Sequence, residues 1–178
     1  MASSPAASPN PEPENNPVIR LFEMFSLKPS LTSYQQYLTL PIFPLPEVPK
    51  RTMKRRFQVS VNRVYSGQVL DRELDGAGVQ VTNDGTIYEG YFQGGKMHGK
   101  GRMLDPSGTK LEGEWIEGVM RGKGSISHPA GASYTGEVFN GMPHGEGAET
   151  WSDGGTFQGN FREGKKHGYG EFRWSKGK

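Results

Sequence analysis

The sequence predicts an all-β fold: a single-layer, twisted antiparallel meander of stacked hairpins, with a mostly irregular and short-helical N-terminal extension. Three observations predict it. Glycine recurs at fixed places in a 23-residue period through the last two-thirds of the chain, and aromatic residues recur in phase with it. Hydrophobic residues make up only 33% of the 178 residues, while glycine numbers 26. So little aliphatic content cannot fill a thick two-layer core, and a repeating single layer is the natural solution.

The rows of the array start at Tyr65, Tyr88, Leu111, Tyr134 and Phe157, giving repeats at 65–87, 88–110, 111–133, 134–156 and 157–178. Position 3 of each row is glycine: Gly67, Gly90, Gly113, Gly136 and Gly159. Positions 12, 14 and 21 are glycine in every row as well. Position 8 is glycine in four rows, with Arg72 the exception. The first row is the weakest, because it also has Asp75 where later rows have His or Arg. The fourth carries Val138 where an aromatic is usual.

Each row reads as two short strands. Alternation in Tyr88-Glu89-Gly90-Tyr91-Phe92 puts positions 1, 3 and 5 on one face. A glycine-containing turn follows, and a second strand is predicted from about position 12. Asp105-Pro106-Ser107-Gly108 is a tight turn into the next row. Glycine weakens a strand unless something must approach its backbone closely. Here the aromatics at positions 1 and 5 are predicted to lie over the glycines at positions 3 and 14. Each ring buried this way contributes roughly 2–3 kcal/mol.

The pattern Y-x-G-x-W-x-x-G-x-x-H-G-x-G closely resembles the MORN repeat family, over residues 65–178. The resemblance implies a single curved sheet with a structural, non-catalytic role, set in cytoskeletal, ciliary or membrane-associated assemblies.

The first part of the chain is different material. Every glycine lies from Gly67 onward, and ten of the 13 prolines lie at or before Pro49. Residues 1–17 read as a disordered tail. Their Glu12 and Glu14 disfavour an organellar presequence, and they lack the basic and apolar regions of a secretory signal. A mature organellar location stays open beside the expected cytoplasmic one. Residues 18–56 read as an apolar, Pro-rich docking segment with a basic linker, holding short helices over 18–25 and 30–38. This segment is expected either to fold back onto the aromatic face or to dock on another protein. Alternation over 57–64 predicts an extra strand beside the first row, so the sheet is expected to span 57–178. Lys50, Arg51, Lys54, Arg55 and Arg56 form a basic cluster. It is a candidate contact for anionic lipid or for an acidic partner, the acidic array itself included.

No catalytic, cofactor or metal site is predicted. His98, His144 and His167 share one repeat position, but equivalent positions in successive hairpins are two strands apart, about 9–10 Å. Zinc needs each ligand about 2 Å from one ion. Arg121 and Asp75 share that column, which favours a polar role near the hairpin turn. The chain has no nucleophile elbow and no phosphate loop. Glu89, Glu112, Glu114 and Glu137 fall at outward positions, as solubilising residues do. The net charge of +2 is too small for a general nucleic-acid binder.

The predicted function is therefore a protein-interaction scaffold or structural subunit of a larger assembly. Its candidate partner-binding residues are Tyr88, Phe92, Trp115, Tyr134, Trp151, Phe157, Phe161 and Trp174. The alternatives are a module on anionic phospholipid and an accessory repeat region of a larger enzyme. Self-association through the C-terminal edge strand is a further expectation.

Overall fold

The computed structural model describes residues 51–175, those from 55 to 57 by their backbone alone. The tail at 1–17, the helices and connector predicted over 18–49, and Lys50 lie outside the described residues. Eleven strands run in sequence order through one antiparallel sheet: β1 (Thr52–Ser60), β2 (Arg63–Leu70), β3 (Glu73–Thr82), β4 (Ile87–Gln93), β5 (Lys96–Leu104), β6 (Lys110–Ile116), β7 (Val119–Ser127), β8 (Ser133–Phe139), β9 (Met142–Thr150), β10 (Thr156–Arg162) and β11 (Lys165–Arg173). This is the predicted single-layer meander, and each row contributes one hairpin.

Two boundaries differ from expectation. The extra strand is β1, which starts at Thr52 rather than at 57 and ends at Ser60. Arg63 and Val64 already belong to β2. The second strand of each row starts at position 9, not 12, as Lys96 shows for β5. Position 12 lies inside that strand, at left-handed φ: Gly99 has φ 64° and Gly122 has φ 98°. The reason is a recurrent bulge. In the second row Gly90 pairs with Gly101 and Phe92 with Met97, so the lone residue Tyr91 faces three on β5. The same register shift falls between Gly67 and Val69, Gly113 and Trp115, Gly136 and Val138, and Gly159 and Phe161. A bulge bends and twists its strand, and repeating it at one place in every hairpin folds the whole sheet along a line.

That line is a ladder of glycines. Gly67, Gly78, Gly90, Gly101, Gly113, Gly124, Gly136, Gly147, Gly159 and Gly170 pair in succession across ten strands. A Cβ on Gly78 would lie 2.2 Å from the Tyr65 hydroxyl oxygen, and one on Gly101 would lie 2.2 Å from that of Tyr88. The position-1 ring therefore lies over a glycine pair, as predicted, whereas the position-5 rings, expected to do the same, pack against the position-1 rings instead. The position-1 tyrosine hydroxyl has a further task. Tyr65 Oη donates to the Gln68 carbonyl at 2.8 Å, Tyr88 Oη to that of Tyr91 at 3.1 Å, and Tyr134 Oη to that of Glu137 at 2.6 Å. Each acceptor is the residue opposite the bulge, where the ladder offers no regular backbone partner.

The turns complete each row. Hairpin tips such as Gly94-Gly95 and Glu117-Gly118 have positive φ at both central residues, the geometry that matches strand twist in two-residue loops. The position-8 N–H then reaches the neighbouring row: Gly95 N donates to Leu74 O, and Gly118 N to Met97 O, at 3.0 and 2.9 Å. Between rows, Gly108 N donates to Asp105 O at 3.0 Å, closing the predicted turn.

Candidate functional site

The rings of positions 1 and 5 meet edge to face on one side of the sheet. Tyr65–Phe92, Phe92–Tyr88 and Tyr88–Trp115 have centroids 5.0, 5.1 and 5.1 Å apart and near-perpendicular planes. A second run joins Tyr134 to Phe161 at 4.9 Å and Phe161 to Phe157 at 5.4 Å. This edge-on geometry sets the positive rim of one ring against the negative face of the next, adding about 0.5–1.5 kcal/mol per pair to the area buried. The Trp115 indole N–H also donates to Gly101 O at 3.1 Å.

The two runs are separate because the third row breaks the pattern. Leu111 takes position 1 and Val138 takes position 5 of the next row. Met120 fills the space over the glycines, with its Cε 2.1 Å from where a Cβ of Gly124 would stand. A hollow of about 330 Å³ opens at the break, lined among others by Leu111, Ile126, His128, Tyr134, Glu149 and Phe161.

Of the predicted partner-binding residues, Tyr88, Phe92, Trp115, Tyr134, Phe157 and Phe161 are each 5% exposed or less. They form the sheet's own core. Trp151 is half-buried and Trp174 is 75% exposed. Those two sandwich Phe172: Trp151 and Phe172 stack at 6.0 Å with planes 5° apart, and Phe172 and Trp174 at 5.8 Å and 13°. Phe172 also touches Phe157 at 4.6 Å, so this stack continues the buried row onto the surface. Lys166 lies over the same rings, 4.9 Å from Trp151 and 5.3 Å from Phe157, and forms an ion pair with Glu149. Lys166 and the hollow are absent from the predicted set. Reading each column down the rows would reveal them: Lys166 stands where other rows have Leu74, Met97, Met120 and Pro143.

The basic cluster is divided. Arg51 Nε donates to Asp75 Oδ1 at 2.6 Å, so the linker meets the acidic array at the point where the first row departs from His. Lys54 is exposed on β1. Lys50 and the side chains of Arg55 and Arg56 lie outside the described residues. In the histidine column, His144 rests against the Phe139 ring at 5.6 Å, and Arg121 covers the same ring at 4.9 Å.

On the opposite face, two adjoining depressions of about 540 and 610 Å³ lie over the glycine ladder from β5 to β10. Their rims carry Lys100, Glu112, Glu114, Lys123, Glu137 and Glu146. The ladder's backbone forms the floor.

Hairpins stacked through a shared glycine line and an interlocked ring row define a β-hairpin repeat protein. The family model for the MORN repeat matches residues 88–110, 112–133, 134–156 and 157–178, and the chain belongs to that family. No curated protein matches it. The 65–87 row is outside the matched segments, yet β2 and β3 form the same bulged hairpin, with Tyr65 over its glycine pair. MORN repeats are a non-catalytic type that mediates protein and membrane interactions.

Proposed function

We propose that this protein is a non-catalytic scaffold that receives an apolar segment of a partner protein on the C-terminal half of its ring-bearing face. One observation carries the reading: the stack of Trp151, Phe172 and Trp174 extends the buried row into solvent, with Phe172 47% and Trp174 75% exposed. Exposed aromatic surface anchored on a rigid base is what binding hot spots are made of. The hollow beside Leu111 lies on the same face and gives an incoming side chain a recess. Tyr88, Phe92 and Trp115 then act as the base that holds the surface rather than as the surface itself. We place the scaffold in the cytoplasm, in an assembly of the cytoskeletal, ciliary or membrane-attached kind. The lipid reading has less support, because Arg51 is committed to Asp75.

Phe172→Ala and Trp174→Ala test it. Each should reduce partner capture at least tenfold while the melting temperature stays within a few degrees. Undiminished capture by both variants would remove the stack as the binding surface.

A further inference from the structure

The face opposite the rings changes character between β5 and β6. On β2 to β5 it carries Val64, Val79, Val81, Ile87 and Leu104, which are 0–9% exposed. The column that holds Val64 and Ile87 continues as Lys110, Ser133 and Thr156, and the column of Val81 and Leu104 as Ser127, Thr150 and Arg173. Glu89 and Arg102 pair among the apolar residues, their side chains 10% and 5% exposed, with Arg102 Nε donating to Glu89 Oε2 at 2.8 Å. A one-layer sheet cannot bury both of its faces by itself. On the ring face the residues of positions 1 and 5, Leu111 apart, are 5% exposed or less in early and late rows alike, so their burial comes from the rows themselves. The early half of the other face is buried to the same degree, although the strands' substantial contacts are with their sheet neighbours. Among the described residues nothing supplies a second layer there.

Fifty residues precede Arg51. Those fifty include the apolar stretch from Val18 to Val48. Arg51 already lies on the relevant side: its Cδ and the Gln68 side chain both crowd the place a Cβ of Gly76 would take. We infer that residues 18–49 lie over β2–β5 on the face opposite the rings and form a second layer there. The depressions of the same face begin at Lys100 and Gly101, where this cover ends. The inference stands apart from the proposed function, which concerns the other face and the other end of the sheet.

The full chain provides the test. Ser66 pairs with Val79 and shares its face, and is only half-buried. A benzophenone amino acid placed at Ser66 should, on irradiation, cross-link to peptides from residues 18–49 within the monomer band. Absence of such adducts, or adducts in a dimer band alone, overturns the inference; the latter makes a second copy the cover. The chain has no cysteine, so accessibility is an independent readout. Val79→Cys should react with a maleimide at least tenfold more slowly than Lys123→Cys, which lies on the open half of the same face. Equal rates overturn the inference. Removing residues 1–49 should raise the Val79→Cys rate at least tenfold while Ile126→Cys, in the ring-side core, stays protected.

Discussion

Met120 occupies the place over Gly124 that a ring occupies over the matching glycine of every other row. Its Cε is 2.1 Å from where a Cβ of Gly124 would stand, as Tyr88 Oη is 2.2 Å from that of Gly101. One site is thus filled by a flexible chain and the other by a rigid ring. The columns of the repeat are spaces to be filled, and the residue filling each one sets how the row responds to change.

Gly101→Ala and Gly124→Ala should therefore differ. At Gly101 three atoms of the Tyr88 ring lie within 2.2–2.8 Å of the added carbon. The ring is 1% exposed and is held between Phe92 and Trp115, each 5.1 Å away by centroid. The expected cost is about 3 kcal/mol, at the upper end for overpacking. At Gly124 the methyl end of Met120 can swing away, although the Glu112 carbonyl oxygen at 2.9 Å keeps the fit tight. About 1 kcal/mol is expected there. Urea unfolding of the two variants measures the difference, and equal costs would contradict the ring-over-glycine account.

Arg72→Gly should stabilise the protein. Asp71 and Arg72 form the first hairpin's turn with φ 48° and 71°, where the later rows have glycine in the second place. A left-handed conformation costs a non-glycine residue roughly 1–2 kcal/mol. Part of the relief is lost to the greater freedom of glycine in the unfolded chain. A net gain of about 0.5–1 kcal/mol should raise the melting temperature by about 2 °C. An unchanged or lower melting temperature would mean that Arg72 has a compensating role.

Alkaline pH should destabilise the sheet through its tyrosines. Burial pushes the Tyr65 and Tyr88 phenols well above the ordinary value, and the Asp75 charge adds to the effect at Tyr65. Tyr134 is also raised, chiefly by burial. The folded state then keeps protons that the unfolded state loses, so unfolding releases them. The tyrosine contribution to stability is complete below about pH 10 and is lost as the pH rises beyond it. Melting temperatures taken between pH 9 and pH 12 should fall, and Tyr88→Phe should reduce the slope. An identical slope in that variant would show that Tyr88 does not take part.

Most of the fold was legible because it repeats. The glycines of positions 3 and 14, the alternation and the inter-row turns each point to one meander, and β2 to β11 follow it. The start of β5 at Lys96 was not legible, because the bulge at Gly99 looks in sequence like a strand boundary. The extension of β1 back to Thr52 was hidden by basic residues that read as a linker. Aromatic type alone does not separate Trp115, buried between rows, from Trp174, which lies on the last strand's margin. The change on the opposite face needed a comparison of Ile87 with Lys110 in one column, and the shared glycine pattern draws attention away from it.

Met120→Ala combined with Leu111→Tyr gives the most direct test of the row logic. Met120→Ala alone removes a side chain that is 1% exposed and leaves the Gly113–Gly124 pair uncovered. It should cost about 2–5 kcal/mol. In the other rows the cover comes from position 1, where the third row has Leu111. Placing tyrosine there in the Met120→Ala background should recover most of the loss, because the ring can lie over the two glycines and its hydroxyl can reach the Glu114 carbonyl, as Tyr88 reaches Tyr91. The same substitution in the presence of Met120 should give little or no gain, since the space is already filled. A double-mutant cycle read by urea unfolding separates these outcomes. Simple additivity of the two substitutions would mean that positions 1 and 10 do not compete for the glycine pair.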